Sequence, residues 1–105
     1  MKSIAIFTRR PDASGDVLSK LAKAEADAVW RGFATGHVRS AHMLEGGRGA
    51  ILELETTSVE EATEFVERLP YVEHGLLNVV HHFVKPFAGF ASLVKPPDTT
   101  TVERS

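Results

Sequence analysis

Along this chain the apolar residues switch repeatedly between a spacing of two and a spacing near 3.6, and that order constrains the fold more than any single motif. Ser3 to Arg9 is short, rich in Ile and Phe, and closed by Pro11, which reads as a strand. From Val17 the spacing turns helical and holds to about Phe33, with Gly36 as a C-terminal stop and Asp12, Ser14 or Asp16 as N-cap. His37 to Leu44 fits a second strand and Ala50 to Glu55 a third, with the dense turn signal Glu45-Gly46-Gly47-Arg48-Gly49 between them, so the two should form a hairpin. Ser58 followed by Glu61 is a capping box opening a second helix that ends near Leu69-Pro70. Leu77 to Lys85 is a fourth strand rich in Val, His and Phe.

The resulting order, β-α-β-β-α-β, predicts an α+β fold: a ferredoxin-like sandwich in which a four-stranded antiparallel sheet carries two helices on one face. A chain of 105 residues allows one domain, expected over 1–94, with an apolar, ordered segment at 86–94 and a flexible C-terminal tail at 95–105. In the first strand, Ile4, Ile6 and Thr8 alternate with Ser3, Ala5, Phe7 and Arg9. Neither row is strongly polar, so the sheet face without helices should meet a second copy, giving a homodimer or higher homo-oligomer.

Composition removes several classes of function. With no Cys there is no disulfide framework, thiolate metal site, iron–sulfur cluster or thiol nucleophile. Twelve Lys and Arg against fourteen Asp and Glu leave no electrostatic footprint for nucleic acid or an anionic membrane. The N-terminal apolar run is too short for a signal peptide, and no stretch approaches the ~20 apolar residues of a membrane span, so the expected location is the cytoplasm.

The first helix carries a misplaced acid. At 100° per residue, Val17, Leu18, Leu21, Ala28, Val29 and Gly32 share one face, and Glu25 lies among them, about 80° from Val17. An ionised carboxylate in an apolar stripe costs several kcal/mol unless it is paired or its pKa rises. Small neighbours (Ala22, Ala24, Ala28, Gly32) would leave room there for a small molecule. Two readings follow: Glu25 is a functional carboxylate, or it snorkels to the rim and pairs with a base. Trp30 is the reverse case, a large aromatic about 220° from Val17 on the polar arc, expected either in a contact or as a pocket wall.

Five histidines invite a metal, but His81 and His82 are adjacent on a strand and His37 and His42 are an odd number apart, so neither pair shares a face. No metal and no cofactor are expected. A histidine near a pocket serves better as a proton carrier. The row Leu77, Val79, His81 and Phe83 is the more apolar, which puts His81 toward the helices and Asn78 and His82 away from them. His74, in the loop after Pro70-Tyr71, sits where loops at a pocket mouth often contribute. Arg39 and His42, on opposite faces of the second strand, are candidate contacts for an anionic ligand. Gly46-Gly47-Arg48-Gly49 lacks a phosphate loop's ending and its place before a helix, and reads as a hairpin turn.

Three stretches carry a family resemblance. Leu21-Ala22-Lys23-Ala24-Glu25 with Thr35-Gly36-His37-Val38-Arg39 resembles the helix-to-strand passage of muconolactone isomerase-like proteins. Ala50 to Glu55, Ser58 to Glu61 and Arg68-Leu69-Pro70 resemble that family's third strand, second helix and following turn. The likeness spans roughly residues 3–87, with Ala28 where a bulkier polar residue would stand. It implies a dimeric α/β barrel with a pocket between helices and sheet, and it places a family carboxylate at Glu25. The expected function is a cofactor-independent isomerase or cyclase moving a proton on a small cyclic carbonyl, lactone or polyketide-like compound. Glu25 would be the base, with His81 or His74 stabilising the enolate and Arg39, His42, Trp30, Tyr71 and Asn78 contacting substrate. The alternatives are a cofactor-free monooxygenase of phenolic or polyketide substrates and a non-catalytic dimeric ligand-binding protein.

Overall fold

The computed structural model describes residues 1–94; the tail expected over 95–105 lies outside the described residues. Strand β1 (Lys2–Arg9) leads to helix α1 (Gly15–Thr35), the hairpin β2 (Val38–Met43) and β3 (Gly49–Glu55), helix α2 (Val59–Glu67), a short helix α3 (Pro70–Glu73) and strand β4 (Leu77–Val84). The sheet has the order β2-β3-β1-β4 with every neighbouring pair antiparallel. This is the expected ferredoxin-like sandwich.

Local chemistry sets the boundaries. Among the candidate caps, Ser14 is the one used: its side chain accepts from the Val17 N–H at 3.3 Å. Helix α1 stops at Gly36, whose φ of 84° is a left-handed conformation open to glycine at no steric cost. Ser58 caps α2 by accepting from the Glu61 N–H, while Glu61 reaches back to the Thr57 N–H at 2.7 Å. The hairpin turns through Gly46 and Gly47, both at positive φ. Two features differ from the sequence expectation. Pro70 starts α3 instead of a plain turn, because a proline at a first helical position costs no backbone donor. A register shift between Val38 and Ser40 sets Arg39 in a bulge.

The core lies between the sheet and the helices. Ser3, Ala5 and Phe7 of β1, Leu52 and Leu54 of β3, Val38 of β2, and Ala62, Val66 and Leu69 are buried. The face with Ile4, Ile6, Ile51 and Val80 carries no helix, and these residues stay partly or largely exposed. Beyond β4 the chain runs through a 3₁₀ turn (Ala88–Phe90) into the short helix α4 (Ala91–Val94). Its apolar side chains are uncovered: Phe87, Phe90, Leu93 and Val94 are 68%, 61%, 77% and 80% exposed. No helix among the described residues is long and apolar enough to cross a membrane.

Candidate active site

A gap opens between helix α1 and the sheet at the end where β1 finishes and the β2–β3 hairpin turns. The gap is a cavity of about 550 Å³. Its floor is Phe7, Leu52, Ala41 and Ala50, its roof Glu25, Val29, Trp30 and Phe33 of α1, and Tyr71 of α3 closes one side. The space comes from Ala26, Ala41 and Ala50. The small residues expected to open it do other things: Ala22 and Ala24 face solvent, while Gly32 is buried where α1 presses on Val38 and Phe65. The carboxylate face was legible from helix periodicity; the small residues opposite it sit on other elements and were not.

Glu25 is half-buried on the roof. Its Oε1 accepts the Tyr71 backbone N–H at 2.8 Å, and among the described residues no group donates to Oε2. Burial pushes the carboxyl pKa up, partly offset by the Tyr71 hydrogen bond, which favours the ionised form. Tyr71 feels both effects from the other side: burial and the Glu25 charge raise its phenol pKa, and its hydroxyl donates to the Leu18 carbonyl at 2.9 Å. The Tyr71 N–H is free for Glu25 because it lies in the first turn of α3, where amides have no intrahelical acceptor. Trp30, 72% exposed, forms a lip of the cavity with Phe33, their ring centroids 6.2 Å apart.

Of the residues singled out from the sequence, the structure brings Glu25, Trp30, Tyr71 and His42 to this cavity. His42 borders it only from the edge strand, since its register opposite Ile51 turns its ring to the face without helices. The other four lie elsewhere. Arg39, displaced by the bulge, donates from Nε to the Gly36 carbonyl at 2.9 Å, and its charge acts on Glu53 and Glu55. Asn78 accepts from Arg10 on the open side. His74 ends α3, exposed, with Nδ1 3.0 Å from the Pro70 carbonyl. His81 does face the helices, yet toward the opposite end of the sheet, where Nε2 meets the Ser3 hydroxyl at 2.9 Å. Strand alternation predicts the face of a residue but not which end of the strand borders a cavity.

Two charged cavity residues were not singled out as site residues. Arg9 and Arg48 line the hairpin end. The Gly-Gly-Arg-Gly turn signal absorbed Arg48, and only the β1–β3 register brings it to Arg9. Among the described residues no three His, Asp or Glu gather as metal ligands would.

No family model matches the chain, and no curated protein matches it in sequence. Solved structures do. One is 5-chloro-2-hydroxyhydroquinone dehydrochlorinase from Burkholderia phenoliruptrix AC1100, in complex with 2,5-dihydroxybenzoquinone. It is 21% identical with a TM-score of 0.69, over 81% of this chain and 94% of that one. Another is muconolactone isomerase, 17% identical with a TM-score of 0.71, over 84% of this chain and 92% of that one. The likeness is one of fold, and the fold is that of the muconolactone isomerase-like proteins.

Proposed function

We propose that this chain is a cofactor-independent isomerase that moves a proton on a small cyclic carbonyl or lactone compound, with Glu25 as the base. The observation that carries this reading is a carboxylate on the lining of a largely apolar cavity, with one oxygen fixed and the other without a donor among the described residues. Burial raises its proton affinity, which suits a base working near neutral pH. Free Oε2 would take a proton from the carbon next to the carbonyl, leaving an enolate, and the resulting acid would return it to a second carbon on the same ring face. One residue thus serves as base and then acid. The neighbours are named for a dehydrochlorination and an isomerisation of small molecules.

The site is also proposed to work in a homodimer or larger assembly, since the helix-free sheet face and the segment from Phe87 to Val94 leave apolar surface uncovered.

Incubation with a panel of γ-lactones and cyclic enones in D₂O tests the proposal. Deuterium should enter at the second carbon, where the acid returns the proton, and by reversal at the carbon next to the carbonyl; Glu25→Gln should abolish both. Ligand binding without exchange would identify a carrier, and oxygen consumption a monooxygenase; either result replaces the proposal.

A further inference from the structure

We propose that Arg9 and Arg48 form a carboxylate-binding subsite at the hairpin end of the cavity, so that the ligand is a small ring bearing a carboxylate. This deepens the proton-transfer reading, on which it rests for the identity of the site, by naming what else the substrate must carry.

The two arginines are brought together by backbone register. Thr8 pairs with Gly49, and the Arg9 N–H donates to the Arg48 carbonyl at 2.9 Å, so the residues lie directly opposite one another. Opposed residues of an antiparallel ladder project to the same face. For Arg9 that is the face of Ala5 and Phe7, under the helices. Gly49 permits the approach, since a Cβ there would run into the Phe7 carbonyl.

Like charges directly opposite one another destabilise a sheet. Among the described residues Lys20, Arg31, Arg39 and Lys85 lack a carboxylate partner but lie off this cavity, while Arg10, Arg68, Lys2 and Lys23 each have one. Arg9 and Arg48 have none there, although Glu25 lines the same cavity. The Arg9 guanidinium makes one bond, from Nη2 to the Ala13 carbonyl at 3.3 Å, and the Arg48 side chain makes none among the described residues. Two planar donor forks with most N–H groups unspent match the paired oxygens of a carboxylate. A monoanion fits better than a phosphate, because the Glu25 charge repels a dianion more strongly. Phe7, Leu52 and Trp30 supply the apolar walls for the ring.

The test compares benzoate with benzamide, which differ little in shape and by one charge, titrated into the full chain at low salt and followed by backbone amide shifts. Benzoate should bind at least tenfold more tightly than benzamide and move the amides of Arg9, Arg48 and Ala50. Arg48→Gln and Arg9→Gln should each weaken benzoate roughly 10- to 100-fold, the range for a charge-assisted hydrogen bond, and leave benzamide unchanged. Thermal melts should show both variants folded, with stability held or slightly raised by relief of the like-charge pair. Equal affinity for the two probes, absence of benzoate shifts at Arg9 and Arg48, or an Arg48→Gln variant with wild-type preference each overturns the subsite. Glu25→Gln separates this inference from the proton-transfer reading: it removes exchange but should keep the preference for benzoate.

Discussion

The backbone N–H of Tyr71 holds Oε1 of Glu25 at 2.8 Å while the Tyr71 hydroxyl holds the Leu18 carbonyl at 2.9 Å. One residue of α3 therefore grips α1 at two points about two turns apart. The grip on the carboxylate is main-chain, so no substitution of Tyr71 other than proline removes the donor. It fixes one oxygen of Glu25 and leaves the second without a donor among the described residues. An amide donor also permits a partly buried carboxylate to ionise without a cationic partner, which would compete with substrate.

Glu25 should leave a signature in the pH dependence of stability. Its folded pKa is raised above the unfolded value of 4.5. Between those values the folded state binds more protons than the unfolded one, so stability is full below 4.5 and declines as pH rises through the folded pKa. Glu25→Gln should lack this decline and be at least as stable as wild type at neutral pH, while turnover falls by roughly 10²–10⁴. Denaturant titrations at a series of pH values give the comparison; a variant that unfolds would instead make Glu25 a structural group.

Gly32 should gain no stability from a side chain. A Cβ at this position would stand 2.5 Å from Cγ2 of Val38 and 2.8 Å from Cζ of Phe65. Ala is the better helix former by about 1 kcal/mol, yet overpacking at such a contact costs about 1–3 kcal/mol. Gly32→Ala should therefore be neutral to destabilising by about 2 kcal/mol at most, despite its higher helix propensity. A stabilised variant, read by the urea midpoint, would mean that α1 can lift from β2 freely.

Much of this arrangement was legible beforehand, and the boundary is physical. Periodicity placed Glu25 among apolar residues because helix geometry is local, and alternation turned His81 toward the helices for the same reason. The Arg9–Arg48 pairing depends on residues far apart in sequence, and only sheet register brings them together. Arg39 was expected at the ligand, but a bulge between Val38 and Ser40 redirects the strand there, and a bulge leaves little trace in apolar spacing. Trp30 marked itself by being wrong for a helix's polar arc, and it stands at the cavity mouth.

Ser3 and His81 should show coupled stabilities. Ser3 is fully buried and its hydroxyl meets Nε2 of His81, whose ring stacks on Phe83 with centroids 4.5 Å apart. His81→Leu strands the hydroxyl and should cost about 1–3 kcal/mol, part of which Ser3→Ala should restore in the double variant. Burial and the neighbouring His82 charge lower the His81 pKa from 6.5. A lowered histidine pKa means that its contribution is present above 6.5 and lost as pH falls through the folded value. Purely additive energies in the cycle would show that the two side chains do not depend on each other.

Assembly supplies the last expected outcome. Ile4, Ile6, Ile51 and Val80 form an apolar band on the sheet face without helices, and Val80 is 53% exposed. Phe87 and Phe90 pack edge to face at 5.0 Å, but both remain exposed, so the pair shields little of itself. Apolar surface of this extent is costly to leave in water, and a two-fold axis through the open face would cover the band in both copies at once. Sedimentation at micromolar concentration should give a dimer or a larger closed assembly. Val80→Lys should weaken it by placing like charges near the axis, and Phe87→Ser with Phe90→Ser should do so if the C-terminal segment braces the partner. A wild-type monomer would refute the assembly outright. A dimer insensitive to Val80→Lys would move the interface off the sheet and leave the exposed band to another role.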